Sequence, residues 1–360
     1  MTDFLELDTA GPVLIVGGYG TVGTALTRLA AAEWPLLITG RNPERGSHLT
    51  SSSVPGEQRK VTVKKVSVQK WDLNQAEPFA AKVRAVISTV NDPHDRVLRA
   101  AVAAGIPYVD VTRWTSRVTR ALTLATLLRP TAPVSLSSGW MGGVTNIVAA
   151  ALAQDVGGSD KIDVAIRYDI NDQAGADSVD FMDRLGLDFE VRKGGQAAVV
   201  RPLTDTRWVD IAGHRTKVAR LDTPEQFTMP LTLGAGSVST RIGFSSNAST
   251  TALLAARAVG LFRWGSGARW APLRRSFLYS PGSGGTAHIR IDVKGPAGTR
   301  TAVISDPQGQ AHLTALGGLL GLRSVLAAGT GPGVTFPEST PDPASRLAEL
   351  ESHGVTILRS

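Results

Sequence analysis

Gly18, Gly20 and Gly23 stand at the spacing Gly-x-Gly-x-x-Gly within Gly17-Gly18-Tyr19-Gly20-Thr21-Val22-Gly23. Glycine at these steps allows a tight turn, close approach of backbone to a diphosphate, and close packing of helix on strand. Two further sets carry reactive types: Asn91-Asp92-Pro93-His94, and Asp110 with Thr112, Arg113 and Trp114. Imidazole titrates near neutrality, so His94 is a candidate general acid; the competing reading is a helix-start residue facing solvent. Arg113 either binds a substrate carboxylate or pairs with a surface acid. Asn91 and Asp92 complete the candidate catalytic set together with Trp140.

These residues need elements that hold them. Val13 to Val16 reads as a buried strand and Thr24 to Ala32 as a helix, so the glycine turn has a strand before it and a helix after it. A pyrophosphate would then sit on the free N–H groups at the helix start, over Gly18, Tyr19, Gly20, Thr21 and Val22. The second strand, Leu36 to Thr39, ends at Gly40-Arg41-Asn42-Pro43. An NAD site places Asp or Glu there for the ribose 2′-hydroxyl. Arg41, with Asn42 beside it, suits a 2′-phosphate instead, and NADP(H) is the expected cofactor. Val61 to Val68 reads as a third strand closing at Trp71-Asp72-Leu73. Asp72 there either contacts adenine or caps a helix starting near Gln75. The fourth strand, Val83 to Val90, carries Thr89 and Asn91 towards the nicotinamide ribose and ring. A helix over Asp95 to Ala104, a fifth strand over Tyr108 to Thr112, a helix over Ser116 to Leu128 and a sixth strand over Pro133 to Leu136 follow. Such alternation predicts an α/β Rossmann fold, a doubly wound parallel sheet.

The Gly-Gly-Tyr-Gly-Thr-Val-Gly opening, Gly40-Arg41, and Ala103 to Thr112 resemble the saccharopine dehydrogenase-like NADP-binding oxidoreductases. The segment Gly139-Trp140-Met141-Gly142-Gly143-Val144-Thr145-Asn146 resembles that family's entry into its second domain. Gly333-Val334-Thr335-Phe336-Pro337-Glu338, followed by Leu347 to Val355, resembles its closing segment. The resemblance implies hydride transfer between NADPH and a C=N or C=O bond of a small-molecule substrate. It also implies a second α+β substrate domain on a mixed or antiparallel sheet. The expected division is 1–146 joined by a returning 309–360, with 147–308 as the substrate and dimerisation domain of a homodimer. Thr112-Arg113-Trp114 and Asn91-Asp92-Pro93-His94 depart from the family pattern at loops bordering the substrate, so substrate identity does not carry over.

In the middle of the chain a helix is expected over Asp177 to Leu185. Strands are expected at Lys161 to Asp169, Ala197 to Arg201, Lys217 to Leu221, Ser237 to Phe244, Ala287 to Val293 and Arg300 to Ser305. Ala311 to Leu326 reads as a long apolar helix whose Gly317, Gly318 and Gly321 imply close packing on another element. The 360 residues are 42% hydrophobic and 19% charged, the balance of a globular protein of two domains. The longest apolar stretch, Thr250 to Phe262, is short and broken by Arg257, so no membrane association is expected. The start lacks a basic segment followed by an apolar run, and cysteine is absent, which together point to the cytoplasm. The six histidines lack ligand spacing, so no metal is expected.

The net charge of +7 and the Arg263 to Arg275 stretch, with Trp264 and Trp270, raise nucleic acid as a partner. A solvated loop over packed tryptophans is the preferred reading, with no nucleic acid bound. Short-chain dehydrogenases need a tyrosine four residues before a lysine. Four residues after Tyr19, Tyr108, Tyr168 and Tyr279 come Gly23, Thr112, Asp172 and Ser283. A rival of another class, a non-catalytic NADP(H)-binding sensor, shares the fingerprint.

Overall fold

The computed structural model describes residues 3–50, 65–137, 139–172, 184–260, 262, 282 and 284–360. The chain opens with β1 (Phe4–Leu7), β2 (Val13–Val16), α1 (Thr21–Ala30), β3 (Leu36–Gly40), β4 (Val66–Lys70), β5 (Ala80–Val83) and β6 (Ala85–Ser88). Then come α2 (Arg96–Ala103), β7 (Tyr108–Asp110), α3 (Thr115–Leu128), β8 (Pro133–Leu136), α4 (Val144–Asp155) and β9 (Lys161–Tyr168). Next are β10 (Phe189–Lys193), β11 (Gln196–Val200), β12 (Arg207–Ile211), β13 (His214–Arg220), α5 (Glu225–Thr232) and β14 (Ser237–Phe244). The chain ends with α6 (Asn247–Ala258), β15 (Ala287–Gly295), β16 (Gly298–Asp306), α7 (Gly309–Leu326), β17 (Gly333–Thr335), α8 (Pro343–Ser352) and β18 (Thr356–Arg359). Two compact units form, Met1–Ser138 with Thr314–Pro337, and Gly139–Leu313 with Glu338–Ser360.

In the first unit β17-β8-β7-β6-β2-β3-β4 make a seven-stranded sheet in which every pair is parallel. This is the doubly wound Rossmann order, with its switch point between β2 and β6. Strands covered on both faces must be apolar throughout, and β2, β6 and β8 are buried at every position. Leu26 and Ala30 of α1 and Leu319, Leu322 and Val325 of α7 cover Val13, Ile15, Ile38 and Ile87. Each such Leu, Ile or Val side chain contributes about 1.5–3 kcal/mol by leaving water. The glycines of α7 serve close packing: a Cβ at Gly318 would meet Ile87 Cδ1 at 3.1 Å, and one at Gly321 would meet Val109 Cγ1 at 2.8 Å.

Several boundaries differ from expectation. The fourth strand is two, because Arg84 breaks it: Arg84 Nε donates to Gly11 O at 2.9 Å, and β5 pairs with β1 outside the main sheet. The third strand is β4; positions 61–64 of that expectation lie outside the described residues. No helix begins near Gln75, since 71–79 form a turn and irregular chain. The helix expected over Asp177 to Leu185 and the basic stretch Arg263 to Arg275 also fall outside the described residues, save 184 and 185 in a turn.

The second unit holds the sheet β12-β13-β14-β9-β15-β16-β18, in which only β14 and β9 run parallel. The mixed sheet agrees with the expected α+β architecture. β15 shows why: Ala287, Ile289, Ile291 and Val293 are buried while His288, Arg290 and Asp292 alternate on the other face. The returning segment divides. β17 pairs with β8 of the first sheet, but β18 pairs with β16 of the second, so 309–360 does not return whole. No described helix is long and apolar enough to cross a membrane.

Gly321→Val is expected to cost about 1–3 kcal/mol by overpacking against Val109, read as a lowered melting midpoint. Gly331→Ala, whose added methyl meets nothing within 4 Å, should leave the midpoint unchanged.

Candidate active site

β2 runs into Gly17 at φ +85°, which is where the turn demands glycine. The tight turn therefore belongs to Gly17. Gly18 answers to packing instead, since a Cβ there would lie 2.6 Å from Ile38 Cβ. Gly23 lets α1 press on the turn, for its Cβ would sit 2.0 Å from Gly17 O. Gly20 is different. It is exposed, and a Cβ there would meet only Gly17 O, at 3.3 Å. Gly20 is also the N-cap of α1, an end with no side-chain cap and no acid in its first turn. The donors at Thr21 and Val22 are thus left to an anion, drawn also by the helix dipole.

The adenosine end is built on Tyr19. A Cβ at Gly40 would lie 2.5 Å from Tyr19 Oη and one at Gly46 2.8 Å from Tyr19 Cδ1, so glycine at both positions admits the ring. The Tyr19 hydroxyl is buried without a hydrogen bond. Burial pushes its pKa up, against the opposing pull of the Asn42 N–H and the Arg45 and Arg41 guanidiniums. Arg41 and Asn42 are exposed, and Asn42 starts a 3-10 helix over Pro43–Leu49 that carries Arg45. Sequence reasoning missed Arg45, although it stands four residues after Arg41. Asp72 accepts the Asn74 N–H at 3.0 Å, a local turn in place of the helix cap. Thr89 Oγ1 donates to Val16 O at 2.9 Å and ties the exit of β6 to β2. An uncapped helix start, an open glycine and an orphaned hydroxyl among guanidiniums fit a dinucleotide carrying a 2′-phosphate.

The loop after β6 is held by a buried ionic network. Asp110 Oδ2 accepts from Tyr108 Oη at 2.5 Å and from Arg113 Nε at 2.8 Å. Its Oδ1 accepts Thr112 Oγ1 at 2.9 Å and Thr112 N at 3.0 Å. Arg113 Nη1 donates to Asp95 Oδ1 at 2.5 Å, and the arginine side chain is 2% exposed. Burial alone would lower the Arg113 pKa, but Asp110, Tyr108 and Asp95 raise it well above its ordinary value. Burial and the Asp110 charge push the Tyr108 hydroxyl up as well. Arg113 is therefore no carboxylate receptor for substrate; it pairs with acids, and these are buried rather than at the surface.

The same network takes up the other loop candidates. Arg117 donates to Asn91 Oδ1 and to Asp92 O, and Arg120 Nε stands 2.8 Å from Asp95 Oδ2. Asp92 Oδ2 accepts the Val97 N–H at 2.8 Å and so caps α2. Asp92 is 2% exposed, whereas His94 is exposed to solvent. Asn91, Asp92 and Arg113 are thus brought together, but as structure. Arg113, Arg117 and Arg120 follow helical spacing at the start of α3, the sequence signal that would have exposed the network. Arg113→Met, which leaves the buried Asp110 without its cation and Asp95 with Arg117 and Arg120 alone, is expected to cost about 3–5 kcal/mol, read from the melting midpoint.

Trp140 lies in the second unit, in the turn Gly139–Gly143 that starts α4. Gly139, at φ +105°, would place a Cβ 1.8 Å from Asn146 Oδ1. Asn146 Nδ2 donates to Glu338 Oε2 at 2.9 Å and to Thr228 Oγ1 at 3.2 Å, and Glu338 Oε1 accepts from Thr232 at 3.0 Å. Glu225, fully buried, accepts from Thr240 Oγ1 at 3.0 Å. Burial pushes its pKa to about 7, opposed by its own N–H, Thr223, Thr240 and the Trp140 N–H. Neither glutamate was foreseen. The folded state keeps the Glu225 proton up to about pH 7, whereas an unfolded glutamate releases it near 4.5. Stability should therefore fall as pH rises across that window, by about 3 kcal/mol. Glu225→Gln should flatten this fall in a melting series over pH.

The model of the family described as the saccharopine dehydrogenase NADP binding domain matches residues 13–131. None of the curated proteins matches the chain. Apo saccharopine dehydrogenase (L-Glu forming) from Saccharomyces cerevisiae is similar in structure, with TM-score 0.64 and 13% identity, over 97% of this chain and 99% of that one. Scyllo-inositol dehydrogenase from Lactobacillus casei aligns with TM-score 0.42 and 10% identity over 97% and 99% of the two chains. At such identities the first likeness shows the fold alone, and the second is too distant to add to it. Residues 13–131 are thus similar to the saccharopine dehydrogenase NADP binding domain, within a chain of that enzyme's fold.

Proposed function

We propose that the protein is an NADP(H)-dependent oxidoreductase that transfers hydride between NADPH and a C=N or C=O bond of a small molecule. The observation that carries this reading is the pairing of an uncapped, acid-free α1 start with Arg41, rather than an acid, at the end of β3. The match to an NADP binding domain supports it. The nicotinamide ring supplies the hydride when bound. The chain's own part is placement. Thr21 and Val22 present N–H groups to the pyrophosphate where Gly20 leaves room for it, and Arg41 and Arg45 face the 2′-phosphate beside the Tyr19 hydroxyl. The network from Arg113 and Arg117 holds the Asn91–Asp95 loop still. His94 is the exposed titratable group of that loop and the candidate acid for a carbonyl substrate. An iminium substrate arrives protonated and asks no acid of the chain.

The commitment of Asn91, Asp92 and Arg113 to structural bonds favours a second reading, a non-catalytic NADP(H)-binding sensor. NADPH oxidation measured against keto acids with and without amines, ketones and cyclic imines separates the two. Turnover that needs an amine establishes imine reduction. Tight NADPH binding with no turnover on any of them establishes the sensor. Arg41→Ala should weaken NADPH about tenfold to a hundredfold while sparing NADH, as loss of a charge-assisted contact predicts. Equal binding of NADH and NADPH, unchanged in Arg41→Ala, would refute the choice of NADP.

A further inference from the structure

Tyr19 stands inside the diphosphate turn, between Gly18 and Gly20, yet its ring lies at the loop after β3. A Cβ at Gly40 would meet three atoms of that side chain, Oη at 2.5 Å, Cζ at 2.6 Å and Cε2 at 2.9 Å. A Cβ at Gly46 would meet Cδ1, on the opposite ring edge, at 2.8 Å. Neither glycine has a positive φ, so at Gly40 it is the ring that asks for glycine. Both points are themselves held. Trp71 N donates to Gly40 O at 3.0 Å, and Gly46 is buried against Val68 and Ile38. Between them run Arg41 and Arg45, both exposed, with Arg45 N donating to Asn42 O at 3.1 Å. The segment that carries both guanidiniums is thus a short bridge whose two ends rest on one aromatic ring.

We propose that Tyr19 is a positioning residue for cofactor choice: its ring sets the Gly40–Gly46 bridge so that Arg41 and Arg45 meet a 2′-phosphate. The inference rests on the NADP(H) reading above. The hydroxyl is buried, so Tyr19 acts through the guanidiniums and not by touching the phosphate. A bridge ordered beforehand spares binding part of the entropy of fixing two long side chains. NADH, which lacks the 2′-phosphate, gains nothing from that order.

The ring also packs against the core cluster that contains Ile38. Were packing its whole role, removing it would lower the melting midpoint and weaken both cofactors alike. The charges point to a closer link. Burial raises the pKa of the hydroxyl, and the Asn42 N–H, Arg45 and Arg41 oppose that rise. Both guanidiniums therefore lie within electrostatic reach of the side chain that supports them.

The test measures NADPH and NADH dissociation constants by calorimetry on the full chain and its variants, each shown by melting to be folded. Tyr19→Ala should weaken NADPH about tenfold and NADH about twofold at most, and Gly46→Ala, which pushes on the ring, should do the same. Tyr19→Phe keeps the ring and should retain the wild-type preference. Adding Tyr19→Ala to the pair Arg41→Ala and Arg45→Ala should cost NADPH nothing further, because the ring acts through those guanidiniums. A further loss in that triple variant overturns the positioning role. Equal losses in Tyr19→Phe and Tyr19→Ala overturn the ring as its carrier. On a chain that prefers NADPH, an unchanged preference in Tyr19→Ala overturns this inference alone. A wild-type chain that binds the two cofactors alike overturns the NADP reading and this inference with it.

Discussion

The buried guanidinium of Arg113 is the constraint on which the ligand-facing end of the first sheet depends. A cation so placed must be neutralised on the spot, because desolvation alone would cost several kcal/mol. Asp110, at the end of β7, and Asp95, at the start of α2, supply that charge from two different strand-end loops. Asp95 accepts this duty at φ +55°, a backbone state that a non-glycine residue adopts at a cost. Once both acids are committed, the intervening chain has little freedom. Asp92 caps α2, and Arg117, one turn beyond Arg113, takes up Asn91 and the Asp92 carbonyl. The loop that topology aims at a nicotinamide ring is therefore rigid before any ligand arrives.

What could be read from the sequence divides along a physical line. Buried parallel strands announce themselves by continuous branched apolar runs, and Val13 to Val16 with its glycine turn made the fold and the phosphate end legible. Close-packing glycines in α7 were legible for the same reason, since nothing else explains glycine inside an apolar helix. Which glycine bears a positive φ was not legible: Gly17, not Gly18, takes the turn, because this depends on how Val90 and Thr89 crowd it from a distant strand. The roles of Arg113 and Asp92 were not legible either. A charged residue at a strand end looks the same in sequence whether it meets a ligand or a buried partner. Only the convergence of Tyr108, Asp110 and Asp95 on one guanidinium decides.

The second unit shows the same division. Alternation along β15 and β16 gave away a sheet with one covered face, but its join to the chain's end was hidden. Asn146, in the motif entering this unit, donates to Glu338, in the motif near the end of the chain. A sequence separation of 192 carries no local signal of the pairing. Gly139 is the steric condition for it, since any side chain there would occupy the place of the Asn146 amide. Two stretches that looked like separate family marks are thus one hydrogen-bonded structure. Glu338, like Glu225, is buried with hydroxyl, amide and backbone donors rather than a cation, and both carboxyls are pushed up in pKa by that burial.

A rigid loop of spent side chains has a consequence for the chemistry proposed above. Hydride delivery to a neutral carbonyl develops an alkoxide that needs a proton donor or oxyanion stabilisation at the reacting oxygen. In the first unit Asp95 and Asp110 are already paired with Arg113. Moving any of them to serve a ligand would break a buried ion pair at about 3–5 kcal/mol, more than a single hydrogen bond to substrate returns. His94, exposed and outside the network, escapes this limit, but an exposed imidazole is weakly positioned for proton transfer. Delivery to an iminium avoids the problem, because the positive charge is consumed as the C–H bond forms and no new anion appears. The Arg113 network thus weights the proposed reaction towards C=N substrates: it removes from use the very groups that a carbonyl would require.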